Sequence, residues 1–118
     1  MRICISLKFV IQLTLVAMLV TGCDRVKEEY YEGRSRGAID VRSGQLKIAF
    51  VDGVKMTNFW EYTQLLQKRY AIGWLVYSLP ANPRAAEAWV RGYNEVATAD
   101  IYRRFGTNVL DQTLADAQ

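Results

Sequence analysis

Ile39-Asp40-Val41-Arg42-Ser43-Gly44-Gln45-Leu46-Lys47-Ile48-Ala49-Phe50-Val51 is the stretch whose reading decides the fold. With Ser43-Gly44 as a two-residue turn, Arg42 faces Gln45, Val41 faces Leu46, Asp40 faces Lys47 and Ile39 faces Ile48. The apolar pairs then share one face and the Asp40–Lys47 pair takes the other. Turn, register and period agree, which predicts a β-hairpin with Val41 and Leu46 buried and Asp40 and Lys47 exposed. Phe50 continues the apolar face, and Asp52-Gly53 ends the second strand.

Downstream, Asn58-Phe59-Trp60-Glu61 has capping-box spacing and predicts a helix start. Phe59, Tyr62, Leu66 and Tyr70 recur at helical spacing. Lys68 and Arg69 suit the C-terminal end of the helix dipole, and Gly73 suits a left-handed cap. Residues 74–79 are apolar with little alternation, which predicts a central strand covered on both faces. Asn82-Pro83 starts a second helix, with proline at its first position, running from Pro83 to Phe105. Residues 108–118 predict a short third helix capped by Asn108.

The expected order is therefore β-β-α-β-α. It describes a small two-layer α+β or α/β domain over residues 38–118, with about three strands and two helices on one face. Residues 45–51 and 74–79 should pair in parallel across the first helix.

Upstream of the hairpin, residues 24–37 are polar and charged, and only Val26, Tyr30 and Tyr31 are apolar. They read as a tether. Fourteen extended residues span at most roughly 50 Å, so an anchored domain would stay close to its membrane. Before the tether, Arg2 and Lys8 precede an apolar run at residues 9–20. That run suits a signal-peptide core and falls short of the roughly 20 residues of a spanning helix.

The segment Leu19-Val20-Thr21-Gly22-Cys23 resembles the lipobox of bacterial lipoproteins. The resemblance covers residues 1–23 alone. It implies cleavage of residues 1–22, a thioether from Cys23 to diacylglycerol, and acylation of the new amino group. Two or three acyl chains hold a protein on a membrane where one does not. Asp24 resembles the retention signal that keeps enteric lipoproteins at the inner membrane. The resemblance therefore places the chain in the cell envelope, on the periplasmic face of the inner membrane, with the outer membrane as the alternative.

The 118 residues carry 15 basic and 12 acidic side chains and no histidine. Without Arg2 and Lys8 the rest is nearly neutral, which argues against a nucleic-acid partner. Once Cys4 leaves with the leader and Cys23 takes lipid, no thiol, disulfide or cysteine metal ligand remains. Nothing in the pattern is catalytic, and no cofactor is implied. Ser35, Ser43 and Ser78 have no recognisable base nearby in sequence. Glu87, Glu95 and Asp100 are too widely spaced for a compact metal face and read as surface ion-pair partners. Gly33, Gly37 and Gly44 lack the following helix of a phosphate loop. Arg34, Arg36 and Arg42 form a local basic cluster suited to a solvated linker or to anionic headgroups. Trp89 and Tyr93 read as core aromatics, and Asn94 beside Gly92 is the polar oddity where a groove would form.

Two functions fit. One is a lipid-anchored, non-catalytic interaction module that docks to another envelope protein as an assembly, inhibitory or exclusion factor. The other is a small-ligand binder or enzyme whose site forms only in three dimensions. A pocket lined by Glu95, Asp100 or several arginines would favour the second, and a flat exposed apolar patch the first.

Overall fold

The computed structural model describes residues 7–118, with side chains from Asp24 onward. The expected leader, the lipobox and the Cys23 thiol lie outside the residues whose side chains are described. Four helices and two strands follow in the order α1 (Leu7–Arg42), β1 (Lys47–Val51), α2 (Phe59–Tyr70), β2 (Gly73–Tyr77), α3 (Pro83–Phe105) and α4 (Val109–Asp116). The chain is helix-dominated. The three-stranded β-β-α-β-α arrangement expected from the sequence does not form.

The hairpin is the main correction. Residues 39–42 are the last turn of α1, and Ser43-Gly44 joins that helix to β1. Gln45 N–H donates to the Asp40 carbonyl at 2.8 Å and Gly44 N–H to the Val41 carbonyl at 3.0 Å, which closes a helix C-terminus. Gly44 takes φ 78°, the left-handed conformation that favours glycine there. Asp40, expected in solvent, is 5 % exposed and accepts the Tyr93 hydroxyl at 2.5 Å. Tyr93 is fully buried, so its hydroxyl needs a partner, and a helical Asp40 supplies it.

Residues 24–37 belong to the same helix and do not form an extended linker. Their buried face is built from glycine. A Cβ on Gly33 would overlap the Trp89 carbonyl oxygen, one on Gly92 would overlap the Tyr30 carbonyl oxygen, and one on Gly37 would sit 2.9 Å from the Tyr93 carbonyl oxygen. The backbones of α1 and α3 therefore touch. Contacts advance together along both helices, from Gly33 against Trp89 to Gly37 against Tyr93 and Val96, so the two run in the same direction.

β1 and β2 pair in parallel, with Lys47 opposite Gly73 and Val51 opposite Tyr77, as the crossover through α2 leads one to expect. Side chains alternate between the two faces of this ribbon. Ile48 and Phe50 join Tyr62, Leu66, Ile72, Ile101 and Val109 in one buried cluster. On the other face, Ala49 packs with Trp89, Tyr93 and Ala97. Helices thus cover both faces, not one. The rings of Tyr77, Trp89 and Tyr93 stack in series, at 4.1 Å and 5.3 Å between centroids.

The caps differ in detail from expectation. Asn58 is left-handed at φ 63° and makes no side-chain cap. Ala71, not Gly73, takes the left-handed turn after α2. Asn82 does cap α3, accepting from Ala85 N–H at 3.2 Å, and Asn108 makes no side-chain cap on α4.

Candidate functional site

β2 lies at an edge of the ribbon, which corrects the expectation of a central strand. Gly73 N–H donates to Leu46 O at 2.8 Å, and Tyr77 O accepts from Asp52 N–H at 3.0 Å. The backbone groups of Gly73, Leu75 and Tyr77 therefore turn toward β1, and those of Trp74 and Val76 turn outward. Among the described residues no strand pairs with that outer edge. The strand Gly-Trp-Leu-Val-Tyr carries no charge and no proline, the features that usually protect an edge.

Aromatic side chains border this edge. Trp74 and Val76 remain 39 % and 44 % exposed although they share a face with buried Ile48 and Phe50. Phe59, at the start of α2, meets Trp74 edge-on at 5.3 Å and Phe50 at 5.0 Å. Next to it, Trp60 is 60 % exposed. Phe59 thus supports an outer layer of apolar groups with little above it.

The opposite edge of the ribbon is closed. Asn94 Oδ1 accepts from Ala49 N–H at 2.8 Å, and its Nδ2 donates to Ala49 O at 2.9 Å. One side-chain amide thus stands in for a neighbouring strand. The oddity seen in the sequence is a structural bond, not the lining of a groove.

The other singled-out residues are dispersed. Arg34 pairs with Glu95 at 2.8 Å, and Tyr30 donates its hydroxyl to the same carboxylate. Those contacts, the Tyr30 bond first and then Arg34, hold the Glu95 carboxyl below its usual range. Arg36 lies 3.7 Å from Asp40, so two of the three arginines of the basic cluster are matched by acids, and Arg42 projects into solvent. Asp100 is held between Arg103 at 2.5 Å and Arg104 at 2.9 Å, and Glu87 is exposed. Glu29, missed in the sequence, is buried and accepts the Tyr77 hydroxyl at 2.7 Å. Burial and then that bond push the Tyr77 phenol up to about 12. Ser43 donates to Ile39 O at 2.9 Å, and Ser35 is exposed.

At the carboxyl ends of the strands, a depression of about 160 Å³ is lined by Val51, Asp52, Ser78, Leu79, Pro80, Pro83 and Ala86. Parallel strands often bind ligands there, but this volume is below the few hundred Å³ of a small-molecule site. Glu95, Asp100 and the arginines are not among its walls. Among the described residues no cluster of His, Cys, Asp and Glu is arranged to hold a metal ion, and no helix is long and apolar enough to cross a membrane.

Compared with known proteins, the chain matches no protein-family model, no curated protein and no solved structure.

Proposed function

We propose that this protein is a lipid-anchored cell-envelope protein that acts as a non-catalytic interaction module. It would hold an envelope partner at the open edge of β2. The observation that carries the reading is the pairing of unmatched Trp74 and Val76 backbone groups with the exposed apolar side chains of the same two residues, beside Phe59 and one residue from exposed Trp60. An uncharged, extended segment of a partner protein can satisfy both at once, by backbone bonds along the edge and apolar contact beside it. The lipobox-like Leu19-Val20-Thr21-Gly22-Cys23 supports the anchor, with acyl chains on Cys23 and Asp24 favouring the inner membrane. Because α1 is already helical at Asp24, the domain would sit directly at its anchor, without the slack of an extended tether.

The test joins the two parts. A photo-crosslinking residue at Trp60 should capture a membrane-associated partner, and Val76→Lys should abolish capture while circular dichroism shows the domain still folded. A fatty-acid label should appear on the wild type and vanish in Cys23→Ser. Capture that survives Val76→Lys would remove β2 from the interface. Equal labelling of wild type and Cys23→Ser would remove the anchor.

A further inference from the structure

The face of α1 turned away from α3 carries Glu28, Tyr31, Ser35, Ile39 and Arg42. At about 100° per residue these five fall within an arc of roughly 80°. Gly33, Gly37 and Asp40, which meet α3, lie on the opposite side. All five are exposed. Tyr31 at 55 % and Ile39 at 46 % are large apolar groups left in solvent on a helix whose Val26, Tyr30 and Val41 are at least partly covered. Among the described residues neither Glu28 nor Arg42 takes part in an ion pair, although Arg25, Glu29, Arg34, Arg36 and Asp40 all do.

The order of these residues is self-complementary. We infer that two copies of this chain pair through this stripe, α1 against α1 in antiparallel orientation, about a twofold axis at Ser35. Reversing the helix about Ser35 sets Glu28 against Arg42 of the second copy and Tyr31 against its Ile39. Each of these contacts occurs twice, as an isologous interface requires. Serine at the axis is small enough to let the helices approach. The charge pattern fixes both occupant and direction. A parallel pair would set Glu28 against Glu28 and Arg42 against Arg42, whereas the antiparallel pair matches these two charges and covers both exposed apolar groups, with Asp24 of the same stripe left beyond the end of the second helix. The interface is small and partly electrostatic, so it should weaken with salt. It does not depend on the partner assigned to β2, because it uses another element.

The full chain, expressed in a bacterial host and oxidised in isolated membranes, gives the test. Ser35→Cys should form a disulfide-linked dimer several-fold more efficiently than Gln64→Cys, placed on exposed α2, and than wild type. Differently tagged Tyr31→Cys and Ile39→Cys chains should crosslink with each other in preference to themselves. In the antiparallel pair, like positions stand about 12 Å apart along the axis at 1.5 Å per residue. Glu28→Arg or Arg42→Glu alone should reduce the Ser35→Cys dimer several-fold, and the two together should restore it. Recovery in the double exchange separates charge matching from loss of fold. A Ser35→Cys yield no higher than that of Gln64→Cys, a preference of Tyr31→Cys for itself, or a double exchange as poor as either single change would each overturn the inference.

Discussion

Replacing Gly92 by alanine puts a methyl group onto the carbonyl oxygen of Tyr30. Neither party can rotate aside, because one is a Cβ and the other is backbone. The Cβ also crowds Arg34 N at 3.1 Å, so α1 as a whole must withdraw from α3. Forcing extra volume into a closed interface costs about 1–3 kcal/mol. Withdrawal also pulls Asp40 from the Tyr93 hydroxyl, and a hydrogen bond to a charged group is worth about 1.5–3 kcal/mol. Against this, alanine is favoured over glycine inside a helix by about 1 kcal/mol. Gly92→Ala should therefore lose about 2–4 kcal/mol, which for a domain of this size lowers the melting midpoint by roughly 10–20 °C. Urea unfolding followed by far-UV circular dichroism measures it, with Gly37→Ala as a milder comparison because its Cβ meets less overlap. If Gly92→Ala is neutral, or gains about 1 kcal/mol as an open helical glycine would, α1 does not lie against α3 as described.

Asn94→Ala strips both bonds from Ala49 and leaves its N–H and C=O partly buried, so it should destabilise by about 1–3 kcal/mol. Asn94→Asp keeps the acceptor but sets a carboxylate oxygen against the Ala49 carbonyl, and urea unfolding should show it no better than alanine. Stability should fall on the alkaline side. Burial pushes the Tyr62 and Tyr77 phenols from the ordinary 10.0 up to about 12, and raises Tyr93 further. A raised phenol pKa means that the fold favours the neutral form. This contribution is complete below pH 10 and is lost as pH rises through the folded-state values. Tyrosinate absorbance at 295 nm should show these residues ionising together with the loss of structure. Independent titration near pH 10 in a folded protein would refute their burial.

α2 and α3 were legible from apolar spacing, and α3 spans Pro83–Phe105 behind its Asn82 cap as expected, whereas α4 forms without the Asn108 cap on which its expectation rested. The parallel pairing of the strands followed from the crossover. α1 was not legible, for a definable reason. Its buried face holds Glu29, Gly33, Gly37 and Asp40, none of them apolar, so a search for an apolar stripe finds nothing. The signal that could have revealed it is the four-residue spacing of Gly33 and Gly37 together with the lone mid-helix Gly92. Gly33 and Gly37 read instead as the end of a tether, and Gly92, read as a weak point in α3 or a place for close approach, had no partner helix in view. Losing α1 also freed Ile39-Asp40-Val41 to read as a strand, since three residues cannot separate a period of two from one of 3.6. That phantom strand made β2 seem central and hid its exposed edge. Within the candidate site, Asn94 stood out as unusual, but its role could not be read, because Ala49 lies far away in sequence.

The seam between α1 and α3 also sets a timetable. Synthesis proceeds from the N-terminus at about 5–20 residues per second, and α3 is complete only some sixty residues after α1 ends. For roughly 3–12 seconds the glycine face of α1 has nothing to close on. Most helical stability in a protein comes from tertiary packing, Gly33 and Gly37 weaken α1 on its own, and its carboxylates at Glu29 and Asp40 still await the hydroxyls of Tyr77 and Tyr93. The nascent chain therefore packs its first-made helix only after α3 has been made. During that interval, a chaperone or protease that reads unfolded chain would meet α1 before any other part.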